Sequence, residues 1–328
     1  MKNIQADIKS GNFKQVYLLY GEEAYLKQQY KQNLVKALNP DGDTMNFNHY
    51  EGKGIDVKQL IDLCETMPFF AERRVVLLED TGFFKNKCEE LADYMKELPD
   101  YLYLVFAETE VDKRNRMYKA VKACGSIAEF IRQDEKTLMR WAAGILGKAG
   151  KKITQRDMEL LLTKTGTDMG NLRMEMEKLI SYTEGRDVVT AEDIEEICTT
   201  QTTNRIFDMV RAVTEKNQKR ALELYYDLLT LKEPPMRILF LLAKQYRQLL
   251  LAKQFAAAVL AQTEIASKLG VPGFVVRNIT TCARAYTISE LEQVVKDFVD
   301  AEESVKTGRL EDKLSVELLI IKYSSKVK

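Results

Sequence analysis

This 328-residue chain has one histidine, five scattered cysteines, no excess of either charge and no long apolar run, and each scarcity removes a class of function. With a single histidine, His49, a His-based metal site or proton relay has nothing to build on; it sits in the polar run Asn46-Phe47-Asn48-His49-Tyr50 and reads as a surface strand residue. Cys64, Cys88, Cys124, Cys198 and Cys282 are odd in number, far apart and without a Cys-x-x-Cys pair. That argues against a disulfide framework or a zinc ribbon and for a reducing cytoplasm. No apolar stretch approaches the ~20 residues of a spanning helix, and the opening MKNIQADIKSGNFKQ lacks the apolar centre of a secretion signal, so no membrane partner is expected. Lys plus Arg and Asp plus Glu each number 49, so any attraction to nucleic acid must come from a local patch.

What is present is enough apolar material, 45% of residues, for two or three compact domains. Through the first third, short apolar runs at 16–20, 74–78, 101–106 and 127–130 alternate with helical patterns at 25–38, 57–67, 88–98 and 116–123. Continuous β-branched and aromatic runs of this length suit strands buried on both faces, and the β-α-β-α order means a parallel sheet with right-handed crossovers. This domain is expected to occupy residues 1–133.

After about residue 134 the strand signals stop. Thr154-Gln155-Arg156-Asp157 and Thr190-Ala191-Glu192-Asp193 resemble capping boxes, while Gly150, Gly166 and Gly185 fall where helices should end. Leu172, Met176, Leu179 and Ile180 form one apolar stripe at helical spacing, giving a small bundle over 134–203. A second all-helical block, 204–328, carries apolar stripes at 206–213, 221–229, 238–250, 275–286, 291–299 and 314–323, with Pro234-Pro235 opening its longest helix.

The first strand runs into Gly21-Glu22-Glu23-Ala24-Tyr25-Leu26-Lys27-Gln28, in the frame of a G-x-x-x-x-G-K-[ST] phosphate loop. Gly21 and Lys27 fit. Leu26 stands where a second glycine lets the backbone approach phosphate, and Gln28 where a hydroxyl binds Mg²⁺. A carboxylate of Glu22 or Glu23 ~5 Å from a phosphate would repel it by roughly 1 kcal/mol in water. The competing reading is a plain strand-to-helix turn. Similarly, Leu77-Leu78 leads into Glu79-Asp80, where an ATPase carries an Asp-Glu pair; the order is reversed, and acids also end buried strands simply because the chain is returning to water. No cofactor, metal or catalytic residue is expected.

Between the second helix and the strand at Arg74 lies Glu65-Thr66-Met67-Pro68-Phe69-Phe70-Ala71-Glu72-Arg73. Pro68 breaks the helical stripe, so Met67, Phe69 and Phe70 either fold back over the sheet or are presented as an apolar plug of the kind found at interface centres. Finally, Lys113-Arg114-Asn115-Arg116 with Lys119 and Lys122 makes a ten-residue stretch without an acid, a candidate DNA contact or a solvated helix face.

Four segments together resemble the delta-subunit family of bacterial DNA polymerase III: Tyr-Leu-Leu-Tyr-Gly-Glu-Glu-Ala-Tyr-Leu at 17–26, Met-Pro-Phe-Phe-Ala-Glu-Arg-Arg-Val-Val at 67–76, Val-Asp-Lys-Arg at 111–114 and Asn-Leu-Arg-Met-Glu-Met-Glu-Lys-Leu at 171–179. In the last block the resemblance is diffuse, carried by the helix pattern and Lys244-Gln245-Tyr246-Arg247. The resemblance implies an AAA+ type domain, a helical lid and a helical collar. It also implies a place in a five-membered clamp-loader ring beside γ/τ-type ATPase and δ′-type subunits, on primer-template DNA, with no ATP hydrolysis by this subunit. Met67, Pro68, Phe69 and Phe70 then match the segment that binds the ring-shaped sliding clamp (the β subunit) and helps open it, the doubled Phe departing from the more usual Leu-Phe. An active ATPase and a DNA-binding regulator of the same fold are the alternatives.

Overall fold

The computed structural model describes residues 2–199, 202–271 and 273–325. The chain divides into two compact units, Met1–Gln133 and Asp134–Lys328.

In the first unit five parallel strands, β1 (Val16–Tyr20), β2 (Phe47–Glu51), β3 (Arg74–Glu79), β4 (Leu102–Glu108) and β5 (Ser126–Glu129), lie in the order β2-β3-β4-β1-β5. Successive side chains of a strand face opposite ways, and here both faces are dry. Tyr17, Leu19, Val75, Leu77 and Val105 pack with Ile4 of α1 (Lys2–Ser10) and Leu34 and Leu38 of α2 (Ala24–Leu38). Val16, Leu18, Val76, Leu78, Leu104 and Phe106 pack with α3 (Val57–Glu65), α4 (Glu89–Tyr94) and α5 (Arg116–Cys124) through Leu60, Leu91, Met117 and Val121.

Two elements of this unit go beyond the sequence expectation. β2 is an edge strand whose residues are only partly buried, so its run Phe-Asn-His-Tyr-Glu shows no apolar alternation to detect; His49 does lie on it. Helix α1 also has no counterpart among the expected helices. Two helices are shorter than expected. α3 stops at Glu65, where Thr66 is extended ahead of Pro68, and α4 stops at Tyr94.

In the second unit, α6 (Glu135–Lys148), α7 (Gln155–Thr165), α8 (Met169–Tyr182) and α9 (Ala191–Ile197) start at Asp134, Thr154, Asp168 and Thr190, each side chain accepting a first-turn backbone N–H. Thr190 and Asp193 form the full reciprocal box. At Thr154 the Asp157 carboxylate takes the threonine hydroxyl rather than its backbone N–H, so that box is half made. Gly166 closes α7 at φ +81°, where a side chain would be strained. A two-residue parallel ladder, β6 (Lys152–Ile153) with β7 (Val188–Val189), corrects the all-helical expectation.

The remaining helices are α10 (Thr202–Thr214), α11 (Gln218–Thr230), α12 (Pro235–Ala257), α13 (Gln262–Leu269), α14 (Gly273–Ala283), α15 (Ile288–Lys306) and α16 (Asp312–Ser324). They enclose one buried cluster running from Ile206 to Ile320, centred on the Tyr246 ring against Tyr286 and Phe298. Among the described residues no helix is long and apolar enough to cross a membrane.

Candidate phosphate-loop corner and displayed apolar segment

At the carboxyl ends of the strands, β1 turns into α2 through Gly21 and Glu22, with Glu23 at the helix N-cap. Gly21 has φ +124°, and a Cβ there would lie 2.3 Å from the Phe130 carbonyl oxygen, so only glycine fits. Phe130, just beyond β5, staples this turn: its N–H donates to the Tyr20 carbonyl (2.7 Å) and its carbonyl accepts from the Glu23 N–H (3.0 Å). A phosphate loop needs such N–H groups pointing free.

The side chains here are likewise engaged. Lys27 Nζ donates to the Glu108 carbonyl oxygen (2.9 Å). Burial pulls the Lys27 pKa below its usual value, only partly offset by the charges of Asp80, Glu108 and Glu79. Leu26 packs on the core formed with α1 and α2, and Gln28 is exposed. Glu22 reaches toward Arg132 (3.5 Å).

Glu79, at the end of β3, accepts from Lys31 Nζ on Oε2 (2.6 Å) and meets His49 Nε2 on Oε1 (2.9 Å). Asp80, at φ +46°, accepts the Thr109 N–H (2.8 Å). The buried Glu108 carboxylate accepts from the Thr81 N–H (3.1 Å) and hydroxyl (2.6 Å); burial pushes its pKa up, and these hydrogen bonds oppose the rise.

Of the sequence candidates, the structure therefore gathers Gly21, Glu23, Lys27, Glu79 and Asp80 at one corner. It adds Lys31, His49, Thr81, Glu108 and Phe130, which motif reading did not reach. A basic residue one helical turn after Lys27 was the available signal for Lys31.

At the amino end of β3 the arrangement is inverted. Met67, Phe69 and Phe70 are 74%, 56% and 95% exposed, standing in solvent rather than folding back over the sheet. The two phenylalanine rings touch edge to face, centroids 4.4 Å apart, with Phe70 at φ +49°, a region that disfavours bulky residues. Around them the backbone is tied down. The Asn46 side chain bonds both the N–H and the carbonyl of Phe69 (2.6 and 2.8 Å). Arg74 donates to the carbonyls of Thr66 (2.8 Å) and Met67 (3.3 Å). Farther along, Arg73 lies over the rings of Phe13 and Tyr103.

The basic stretch is less basic in space than in sequence. Lys113 pairs with Glu129 (2.9 Å), Arg114 with Asp112 (3.1 Å), and Arg116 with Asp93 (2.7 Å) and Glu89 (3.8 Å). Asn115 caps α5, along which Lys119 and Lys122 are exposed.

Two family models match the chain: "DNA polymerase III, delta subunit" over residues 17–130 and "DNA polymerase III delta subunit, C-terminal domain" over 203–323. Among characterised proteins it is similar to the DNA polymerase III subunit delta of Bacillus subtilis (strain 168), 26% identical with 97% of this chain and 95% of the other covered. It also resembles a probable DNA polymerase III subunit delta of Aquifex aeolicus (strain VF5), 23% identical over 70% of this chain and 67% of the other. The solved structure of a Bacillus subtilis DNA clamp loader delta protein superposes with a TM-score of 0.67 at 24% identity, over 98% of this chain and 99% of that one. That likeness carries the fold, a parallel sheet followed by helices.

Proposed function

The chain belongs to the DNA polymerase III delta subunit family, whose two models together match more than half of it, and we propose that it grips the ring-shaped sliding clamp through Met67, Pro68, Phe69 and Phe70 and helps open it without hydrolysing ATP. One observation carries this reading: three large apolar side chains stand exposed in a row on a segment whose backbone is fastened to the domain. Leaving two phenylalanines in water is unfavourable for the isolated chain, and an apolar pocket on a partner relieves it.

The absence of ATP turnover is supported by the phosphate-loop corner. The Glu23 N–H, the Lys27 ammonium and the Glu79 carboxylate, the groups that would serve a nucleotide and its metal, are each held by another group of this chain. An active ATPase of this fold has no comparable support here. The DNA-binding regulator has only Lys119 and Lys122 clear of the ion pairs that absorb Lys113, Arg114 and Arg116; primer-template DNA is met within the assembly.

Residues 134–203 serve as the lid and 204–328 as the collar joining the γ/τ-type and δ′-type subunits of a cytoplasmic five-membered ring. The second boundary is supported by the C-terminal cluster, which among the described residues draws its buried members from the span of α10 to α16. The test is co-purification: the full chain should retain the sliding clamp on a column without ATP, and failure to do so at micromolar concentrations of both proteins would overturn the proposal.

A further inference from the structure

The polar groups beneath the displayed segment are as notable as the apolar ones above it. Asn46 and Arg74 are almost fully buried, an unfavourable place for an amide and a guanidinium unless every hydrogen bond is made. Asn46 precedes β2 and lies 23 residues from Phe69, yet its Oδ1 accepts the Phe69 N–H and its Nδ2 donates to the Phe69 carbonyl. The amide thus binds both backbone groups of one residue, as a neighbouring strand would. The other Nδ2 hydrogen goes to the Asp43 carboxylate, which fixes the amide's orientation. Asp43 is itself held by Asn39 through its N–H (3.0 Å) and carbonyl (2.9 Å). Arg74 takes the Thr66 and Met67 carbonyls with Nε and Nη2, and its Nη1 donates to Asn48 Oδ1 (3.2 Å).

We propose that Asn46 and Arg74 are positioning residues, a buried polar clip that holds the backbone from Thr66 to Phe69 in its bound shape so that Met67, Phe69 and Phe70 meet a partner already ordered. The proposal rests on reading this segment as the clamp-binding element. The clip touches no partner atom. Its contribution is to lower the ordering entropy that a free loop would lose on binding.

The experiment compares the wild-type chain with Asn46→Ala, Arg74→Lys and Phe70→Ala, titrating each full chain with the isolated sliding clamp by calorimetry at several temperatures. Melting temperature and amide exchange at Phe69 are followed in parallel. Asn46→Ala should weaken binding by about tenfold, with Phe69 amide protection lost and the heat-capacity change of binding unchanged, because the same apolar surface is still buried. Phe70→Ala should weaken binding and also shrink the heat-capacity change, since surface is lost. A role in folding alone would lower the melting temperature and leave the affinity of the folded fraction intact. Should Asn46→Ala fail to fold, Arg74→Lys, which keeps the charge but loses the fork, is read by the same criteria. If Phe70→Ala weakens binding while the clip variants free the Phe69 amide and bind normally, the clip is refuted and the clamp-binding reading stands. If none of the three changes affinity, that reading falls, and the clip with it.

Discussion

The two ends of β3 treat polar and apolar groups in opposite ways. At its carboxyl end, Glu79 is held between Lys31 and His49, Lys27 is tied to Glu108, and the backbone N–H that opens α2 is bound by Phe130. These groups, which could address a ligand, are turned onto the protein. At its amino end, roughly 20 Å away along a six-residue strand, the backbone is tied down and the side chains are left to solvent. In an open parallel sheet the carboxyl edge is where ligands are expected. Here Lys27, Glu79 and the Glu23 N–H at that edge are held by the chain itself, and the exposed apolar side chains lie at the other end. Where a chain satisfies its own polar groups it gains stability; where it satisfies its backbone and exposes apolar side chains it gains something to bind with.

The comparison breaks most plainly if the displayed residues matter to folding. Phe69→Ala with Phe70→Ala should nearly abolish clamp binding, since burying each ring on a partner is worth ~1.5–3 kcal/mol, or roughly tenfold to a hundredfold in affinity apiece. The melting temperature should hardly move, because both rings are already exposed. A packed phenylalanine, by contrast, would cost about 3–5 kcal/mol of folding stability when truncated. Clamp binding retained by the double variant, or lost only through unfolding, would refute the displayed segment as the clamp-binding element.

The carboxyl end should respond the other way round. Lys31→Ala removes the ammonium from a largely buried pair and leaves Glu79 with His49 alone. Breaking one side of a buried pair costs about 3–5 kcal/mol, and with one partner remaining the loss here should be nearer 2–3 kcal/mol. Chemical denaturation reads that loss, and clamp affinity at a temperature where the variant is folded should equal that of the wild type. A drop in affinity without a drop in stability would mean that the two ends are coupled.

A smaller effect tests the support beneath the clip. The bonds from Asn46 and from the backbone N–H groups of Met45 and Asn46 hold the Asp43 carboxyl below its usual value of 3.8. A group whose pKa is depressed by folding contributes above its unfolded value, and the contribution is lost as pH falls through the folded value. Asp43→Ala should therefore weaken clamp binding by about threefold at neutral pH. The difference from wild type should persist at pH 3.8 and vanish only as pH falls through the lower, folded value, where the wild-type carboxyl protonates as well. Parallel titrations of the two chains across pH decide it; a difference that persists in acid would mean that Asp43 acts through something other than its charge.

Much of the fold was legible because its signals are local. The runs at Val16 and Arg74 are apolar on both faces, as buried parallel strands must be, and Thr154 and Thr190 announce helix starts within one turn. Of β2 only His49 was read as a strand residue, because an edge strand half in water has no alternation to mark its extent. The doubled phenylalanine was visible, since Pro68 takes it out of the helical stripe. Its clip was not: Asn46 and Phe69 are 23 residues apart, and nothing in either neighbourhood states that they meet. Lys31 and Glu79, 48 residues apart, escaped for the same reason, and a lysine on a helix reads as a solvated residue until its partner is in view. The basic stretch shows the reverse failure. It contains no acid, but its acids, Glu129, Asp93 and Glu89, arrive from other elements.

The smallest expected change is the one most tempting to attempt. Leu26→Gly with Gln28→Ser restores two residue types that a phosphate loop requires, yet titration with Mg·ATP should release no more heat than with the wild-type chain, which itself should bind none. The new glycine would free the backbone at one position, but the Glu23 N–H would still donate to Phe130 and the Lys27 ammonium to Glu108. Gly21 would still be packed against the Phe130 carbonyl, so the turn could not open without moving the end of β5. Releasing these hydrogen bonds would cost about 1 kcal/mol each, and a phosphate arriving beside Glu22 and Glu23 would meet further repulsion of similar size from each carboxylate. Micromolar binding by the wild type would show that the corner is not sealed. Binding gained by the variant alone would show that Leu26 and Gln28 closed it, and that the contacts to Phe130, Glu108 and Lys31 are incidental; the contrast between the two ends of β3 would then rest on two side chains instead of on the whole corner.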